Sequence, residues 1–105
     1  MTRAILKVIA AGEHARIVCD KLPGSKIENG TVIMSSALGS DESLNAHLVW
    51  LWGMVKNERR VLKSAVEAGA RIVCECSASK GEIRLLPNGA EMLHLLGAEL
   101  VISSK

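Results

Sequence analysis

The residue pattern predicts an α+β protein: one domain over residues 1–105, built as a two-layer sandwich with helices packed on one face of a mixed or mostly antiparallel sheet of about five strands. Three observations predict it. Short segments rich in branched residues with period-2 alternation are interleaved with segments of helical spacing. Turn signals at Pro23-Gly24, Asn29-Gly30, Gly69 and Pro87-Asn88 separate them. The densest apolar pattern, Ser40 to Val55, holds both tryptophans and reads as the helix the sheet is laid against.

In chain order, Ala4, Leu6 and Val8 alternate with Arg3, Ile5, Lys7 and Ile9, which predicts a strand over 3–10 near the sheet centre. Residues 13–22 fit helix and strand almost equally. Glu13 in a first turn and Lys21 in a last one suit the helix dipole and favour a short helix. After the Asn29-Gly30 turn, residues 31–36 read as a strand.

The central helix follows from Leu44, Leu48, Leu51 and Val55, which share one side of a 3.6-residue helix, with Trp52 widening the stripe. Ser40 is the expected N-cap, with Asp41 and Glu42 at the positive end of the dipole. The stripe runs on into Glu58 and Arg59, so a break is expected near Asn57, followed by a second piece to about Ala68. Its buried side would be Val61, Leu62, Ala65 and Val66, and Gly69 would end it. One uninterrupted helix over 41–68 is the alternative.

Residues 70–77 read as a strand with Cys74 and Cys76 on its core face. Ser79-Lys80-Gly81 is an expected turn and 82–86 an antiparallel partner strand or extended segment. Asn88 would then cap a helix over 89–96, Gly97 would close it, and 99–104 would form the last strand.

Composition excludes several function classes. Thirteen basic residues against eleven acidic ones, for a formal +2, are spread along the chain, and Phe and Tyr are absent, so neither a basic arm nor a stacking platform for nucleic acid is offered. No apolar run approaches the roughly eighteen residues that span a bilayer. The charge inside Met1–Gly12 argues against a secretory signal, and an odd count of three cysteines suits a reducing compartment. The expected location is the cytoplasm.

The chemistry-bearing residues read mostly as structure. Cys74 and Cys76 point the same way along a strand, yet no CxxC or HxxxH spacing joins them, so buried thiols are expected rather than a metal site. His47 could serve as an acid or base, but no carboxylate or nucleophile is marked beside it in sequence, and capping or packing is the plainer role. Ser35, Ser36 and Ser40 flank a strand-to-helix turn without the Gly-x-Ser-x-Gly signature. None of the glycines forms a phosphate loop or dinucleotide fingerprint. We therefore expect no catalytic residue, cofactor or metal; an enzyme using His47 or Cys74 is the weakest reading.

Three stretches carry a resemblance: Leu44-Asn45-Ala46-His47-Leu48-Val49-Trp50-Leu51-Trp52, the boundary Leu22-Pro23, and Leu93-His94-Leu95-Leu96-Gly97-Ala98-Glu99-Leu100. In these the chain resembles, over almost its whole length, the small bacterial domains catalogued as domain of unknown function 4279. Some proteins of that look resemble immunity proteins of toxin systems. The resemblance implies a non-enzymatic binding protein that neutralises a toxin domain encoded by an adjacent gene. Such a role asks for a rigid complementary surface and no active site.

The expected partner-contact residues are exposed charges and one aromatic: Trp50, which lies off the leucine line, the run Lys56, Glu58, Arg59 and Arg60, and the turn residues Lys80 and Glu82. The alternative function, from another class, is a small-ligand-binding regulatory domain that dimerises through its sheet. Neither nucleic acid nor membrane is an expected partner.

Overall fold

A computed structural model describes residues 2–10, 12–78 and 83–104. Among them the chain forms β1 (Arg3–Ile9), α1 (Glu13–Lys21), β2 (Lys26–Glu28), β3 (Thr31–Ser35), α2 (Leu44–Val55), a 3-10 turn (Lys56–Glu58), α3 (Arg59–Glu67), β4 (Arg71–Ala78), α4 (Pro87–Leu96) and β5 (Glu99–Ser104). The strands make one five-stranded sheet in the order β2-β3-β1-β4-β5. β1 pairs antiparallel with both β3 and β4, β2 pairs antiparallel with β3, and β4 runs parallel to β5. The sheet is thus mixed, with the first strand at its centre, and the fold is α+β.

Register explains why one face is covered. Leu6 lies opposite Met34 on one side and Cys74 on the other, and Cys74 faces Leu100. Val8 lies between Val32 and Ile72 in the same way. Because side chains alternate along a strand, these rows share one face, and that face is buried beneath the helices. The opposite face carries Lys7, in an ion pair with Glu75 at 2.9 Å, and Arg71, in one with Glu99 at 2.8 Å. These ion pairs share the uncovered side with aliphatic residues, of which Ile9 and Val101 are exposed and Val73 is buried.

Helix α2 lies over β1 and against α4, while α1 packs over β2 and β3 and against α3. Leu44, Leu48, Leu51 and Val55 are fully buried, so the stripe is the core of the layer. A full Leu or Val burial stabilises by about 1.5–3 kcal/mol each. The break arrives where the stripe runs out. Residues 56–58 tighten into a 3-10 turn, and a second helix begins at Arg59. Leu62 and Ala65 are buried as expected, but Val66 is 38% exposed, and Gly69, at φ 103°, ends the piece.

Four expectations are corrected. The cap of α2 is Ser43, whose hydroxyl accepts from the Ala46 N–H at 3.1 Å, and not Ser40, because the turn at 39–42 delays the helix. Residues 83–86 form no strand; Pro87 instead opens α4, where a missing N–H costs nothing. Consequently Leu86, not Asn88, occupies the cap position. The fifth strand is β2, which makes a hairpin with β3 through Asn29-Gly30, at φ 51° and 79°, the left-handed pair that a two-residue type I′ turn requires.

Candidate functional site

Two concave regions among the described residues adjoin the helical layer. The first is a pocket of about 330 Å³ where β3 leaves the sheet, bounded by Ser35, Ser36, Leu38, Ser40 and His47 with the first residues of β1. His47 sits one turn into α2, so the cap at Ser43 sets its position, and its ring is 1% exposed. Its Nδ1 lies 2.7 Å from Ser36 Oγ, which also accepts from the Leu38 N–H at 3.3 Å. The hydroxyl has one proton to donate to Nδ1 and a second lone pair to accept from an Nδ1–H, so the contact forms with either tautomer of the ring. Nε2 is buried and has no hydrogen-bond partner among the described residues.

A serine beside an imidazole is the first requirement of nucleophilic catalysis. The second is a group that orients the base from its other nitrogen. No described carboxylate reaches Nε2, so the geometry fits a polar latch that ties the first turn of α2 to the end of β3. The sequence marked Ser36 and His47 separately; nothing in their spacing of eleven residues announces their contact.

A second latch uses Asn45. Its Nδ2 donates to Asn88 Oδ1 at 2.8 Å, and its Oδ1 accepts from the Leu86 N–H at 3.0 Å. Asn88 Oδ1 also accepts from the Gly89 N–H at 2.9 Å. The side chain of α2 thereby does part of the capping of α4. Gly89 is required by contact, since a Cβ there would run into Asn45 Oδ1.

The larger region is a groove of about 620 Å³ between α3 and the last turn of α4. Leu62 and Leu96 form its floor; Val66 and Leu95, 38% and 36% exposed, stand at its rim. Around them are Lys56, Arg59, Arg60 and Lys63, with His94 on the opposite wall. None of these makes an ion pair with a described residue, and no acidic side chain lines the groove. Arg59 stacks over the Trp52 ring, 6.0 Å from its centroid, which holds one guanidinium in place.

Two of these cations lie at the wrong end of a dipole, while Lys56, the C-cap of α2, lies at a favourable one. The N-terminus of α3 is positive and favours acidic side chains, yet Arg59 and Arg60 open it. Each cation so placed costs about 0.3–1 kcal/mol. Where a sequence breaks a local stability rule with no ion-pair partner among the described residues, the site is a candidate for function.

Of the expected contact residues, the structure brings Lys56, Arg59 and Arg60 together on the groove. Glu58 is half-buried and does not line it. Trp50 is also half-buried, with part of its surface packed on the core rather than standing free, and it lies off the groove. Lys80 and Glu82, with the turn they were read in, lie outside the described residues. Lys63 and His94 were missed. Lys63 had a signal, since Lys56, Arg60 and Lys63 follow helical spacing, whereas His94 comes in only through the packing of α4.

Cys74 and Cys76 are buried on the core face of β4. Burial, then the neighbouring Cys76, pushes the Cys74 thiol up to about 12; burial, then Glu75, pushes Cys76 up to about 11. Both are poor nucleophiles. Among the described residues no group of three or more His, Cys, Asp or Glu side chains could hold a metal ion, and no helix is long and apolar enough to cross a membrane. Comparison with protein-family models, with curated proteins and with solved structures finds no match to this chain.

Proposed function

We propose that the chain is a non-enzymatic cytoplasmic binding protein of the immunity type, which docks on a bacterial toxin domain and neutralises it. The observation that carries the reading is the α3–α4 groove, where four cations with no ion pair to a described residue surround an aliphatic floor. Interface centres combine apolar anchors with arginine, and a positive surface selects a negative one. The resemblance of the α2 and α4 segments to domains of unknown function 4279, some of whose look-alikes resemble immunity proteins, supplies the class of partner. The fold suits the task. The Asn45 latch fixes the start of α4 to α2, and the buried Leu62 and Ala65 seat α3 on the core, which keeps the entropic cost of docking low.

Co-expression with the product of the adjacent gene tests this. Growth rescue and co-purification as a stoichiometric complex are expected; neither binding nor protection overturns the reading. A second reading, a dimeric small-ligand domain, draws on the pocket beside Ser36 and His47. A monomer in light scattering whose melting temperature no metabolite panel shifts would dispose of it.

A further inference from the structure

Resting on that reading, we propose that the element received by the groove is an acidic amphipathic helix, two turns of which seat aliphatic anchors between Leu62, Val66, Leu95 and Leu96 while its carboxylates meet Arg59, Arg60 and Lys63. Three features of the groove lead there. Its walls are helices, whose backbone groups are bonded internally, so an extended segment would leave its own N–H and C=O groups without partners on being buried. A helix brings its backbone already satisfied. The floor is aliphatic and the rim cationic, which matches an occupant with leucine-like residues at i, i+3 or i+4 and i+7 and acidic residues on both flanks.

Length agrees with this. From Arg59 to Val66 the wall rises about 10 Å at 1.5 Å per residue, or two turns of a partner lying alongside. The guanidiniums of Arg59 and Arg60 can each take a carboxylate in bidentate fashion, and Trp52 already holds Arg59 in place. A nucleic-acid backbone is the competing polyanion. It offers nothing for the exposed Val66 and Leu95, and the described lining holds no Phe, Tyr or Trp and only the small ring of His94 on which a base could stack.

The test titrates the purified full chain with four probes. One is a helical leucine–glutamate peptide of roughly 20 residues, long enough to hold a helix in water. The others are the same peptide broken by a central proline, polyglutamate, and a single-stranded DNA oligonucleotide. The intact peptide is expected to bind best, with the proline variant and polyglutamate each weaker by about tenfold or more. Arg60→Glu and Leu95→Asp should each cost a similar factor. Both sites are exposed, and Arg60→Glu should melt no lower than the parent because it relieves the helix dipole. Equal binding of the proline variant, tighter binding of DNA or polyglutamate, or indifference to both substitutions overturns the inference. If the toxin partner still co-purifies with both groove variants, the groove assignment falls and the immunity reading stands; if it binds neither parent nor variants, the immunity reading falls with it.

Discussion

Single residues in this fold act through what they touch. Gly89 has room for no Cβ because Asn45 Oδ1 occupies that space, and the same oxygen serves the Leu86 N–H. Gly89→Ala is therefore expected to destabilise by about 1–3 kcal/mol through overpacking. The double variant with Asn45→Ala should lose clearly less than the two single losses combined, since removing the oxygen removes the clash. Urea melts of the four proteins measure the coupling; strict additivity would show that the two residues act independently. The β4 thiols give a pH effect of definite sign. Folding raises Cys74 to about 12 and Cys76 to about 11 from an ordinary 9.0. Above pH 9 the unfolded chain therefore releases protons that the folded chain keeps. The stability these thiols contribute is complete below pH 9 and declines as pH rises toward 11–12, by up to about 1.4 kcal/mol per pH unit for each. Compared with Cys74→Ala/Cys76→Ala, the parent should lose stability more steeply between about pH 9 and 11; parallel pH profiles would refute this.

Elements show how far pattern reaches. Leu44, Leu48, Leu51 and Val55 announced α2 because a repeat of three and four residues has one geometric meaning, and each of the four is fully buried. β1, β4 and β5 were legible for the same reason, alternation on a half-covered sheet. β2 was not: three residues at the sheet edge, all exposed, have no buried face to imprint a period. Residues 83–86 misled because branched apolar residues before a proline look like a strand, while Ile83, Leu85 and Leu86 are exposed. The α2 cap was misplaced because Ser40 and Ser43 both offer a hydroxyl, and only the turn at 39–42 decides between them. That choice is measurable. Ser43→Ala removes the bond to the Ala46 N–H and should cost about 1 kcal/mol, with a matching fall in melting temperature. Ser40→Ala should be near neutral, and the opposite order would return the cap to Ser40.

At the scale of the whole molecule the site is a matter of charge placement, which a spread of basic residues along a chain does not disclose. The run Lys56 to Arg60 was visible as exposed charge, but its meaning as a groove depends on α4 crossing beside α3, which brings Leu95, Leu96 and His94 from some thirty-five residues away. The Cα radius of gyration of 13.1 Å is that of one compact body of this length, so the groove cations stand close to the rest of the protein's charge. The formal total is +2, and the four lysines and arginines of the groove carry +4, so everything else sums to −2. A nearly neutral protein thus carries a local concentration of positive charge beside α3. Such a molecule should orient an acidic partner before contact and speed its capture, an effect that acts over about 10 Å at 0.1 M salt and fades beyond. Stopped-flow association with the partner is therefore expected to slow markedly from 0.02 to 0.5 M salt while the dissociation rate changes little, and Lys63→Gln should flatten the salt dependence more than it weakens the final complex. A salt-independent association rate would place the partner on an uncharged face of the protein, away from α3 and α4.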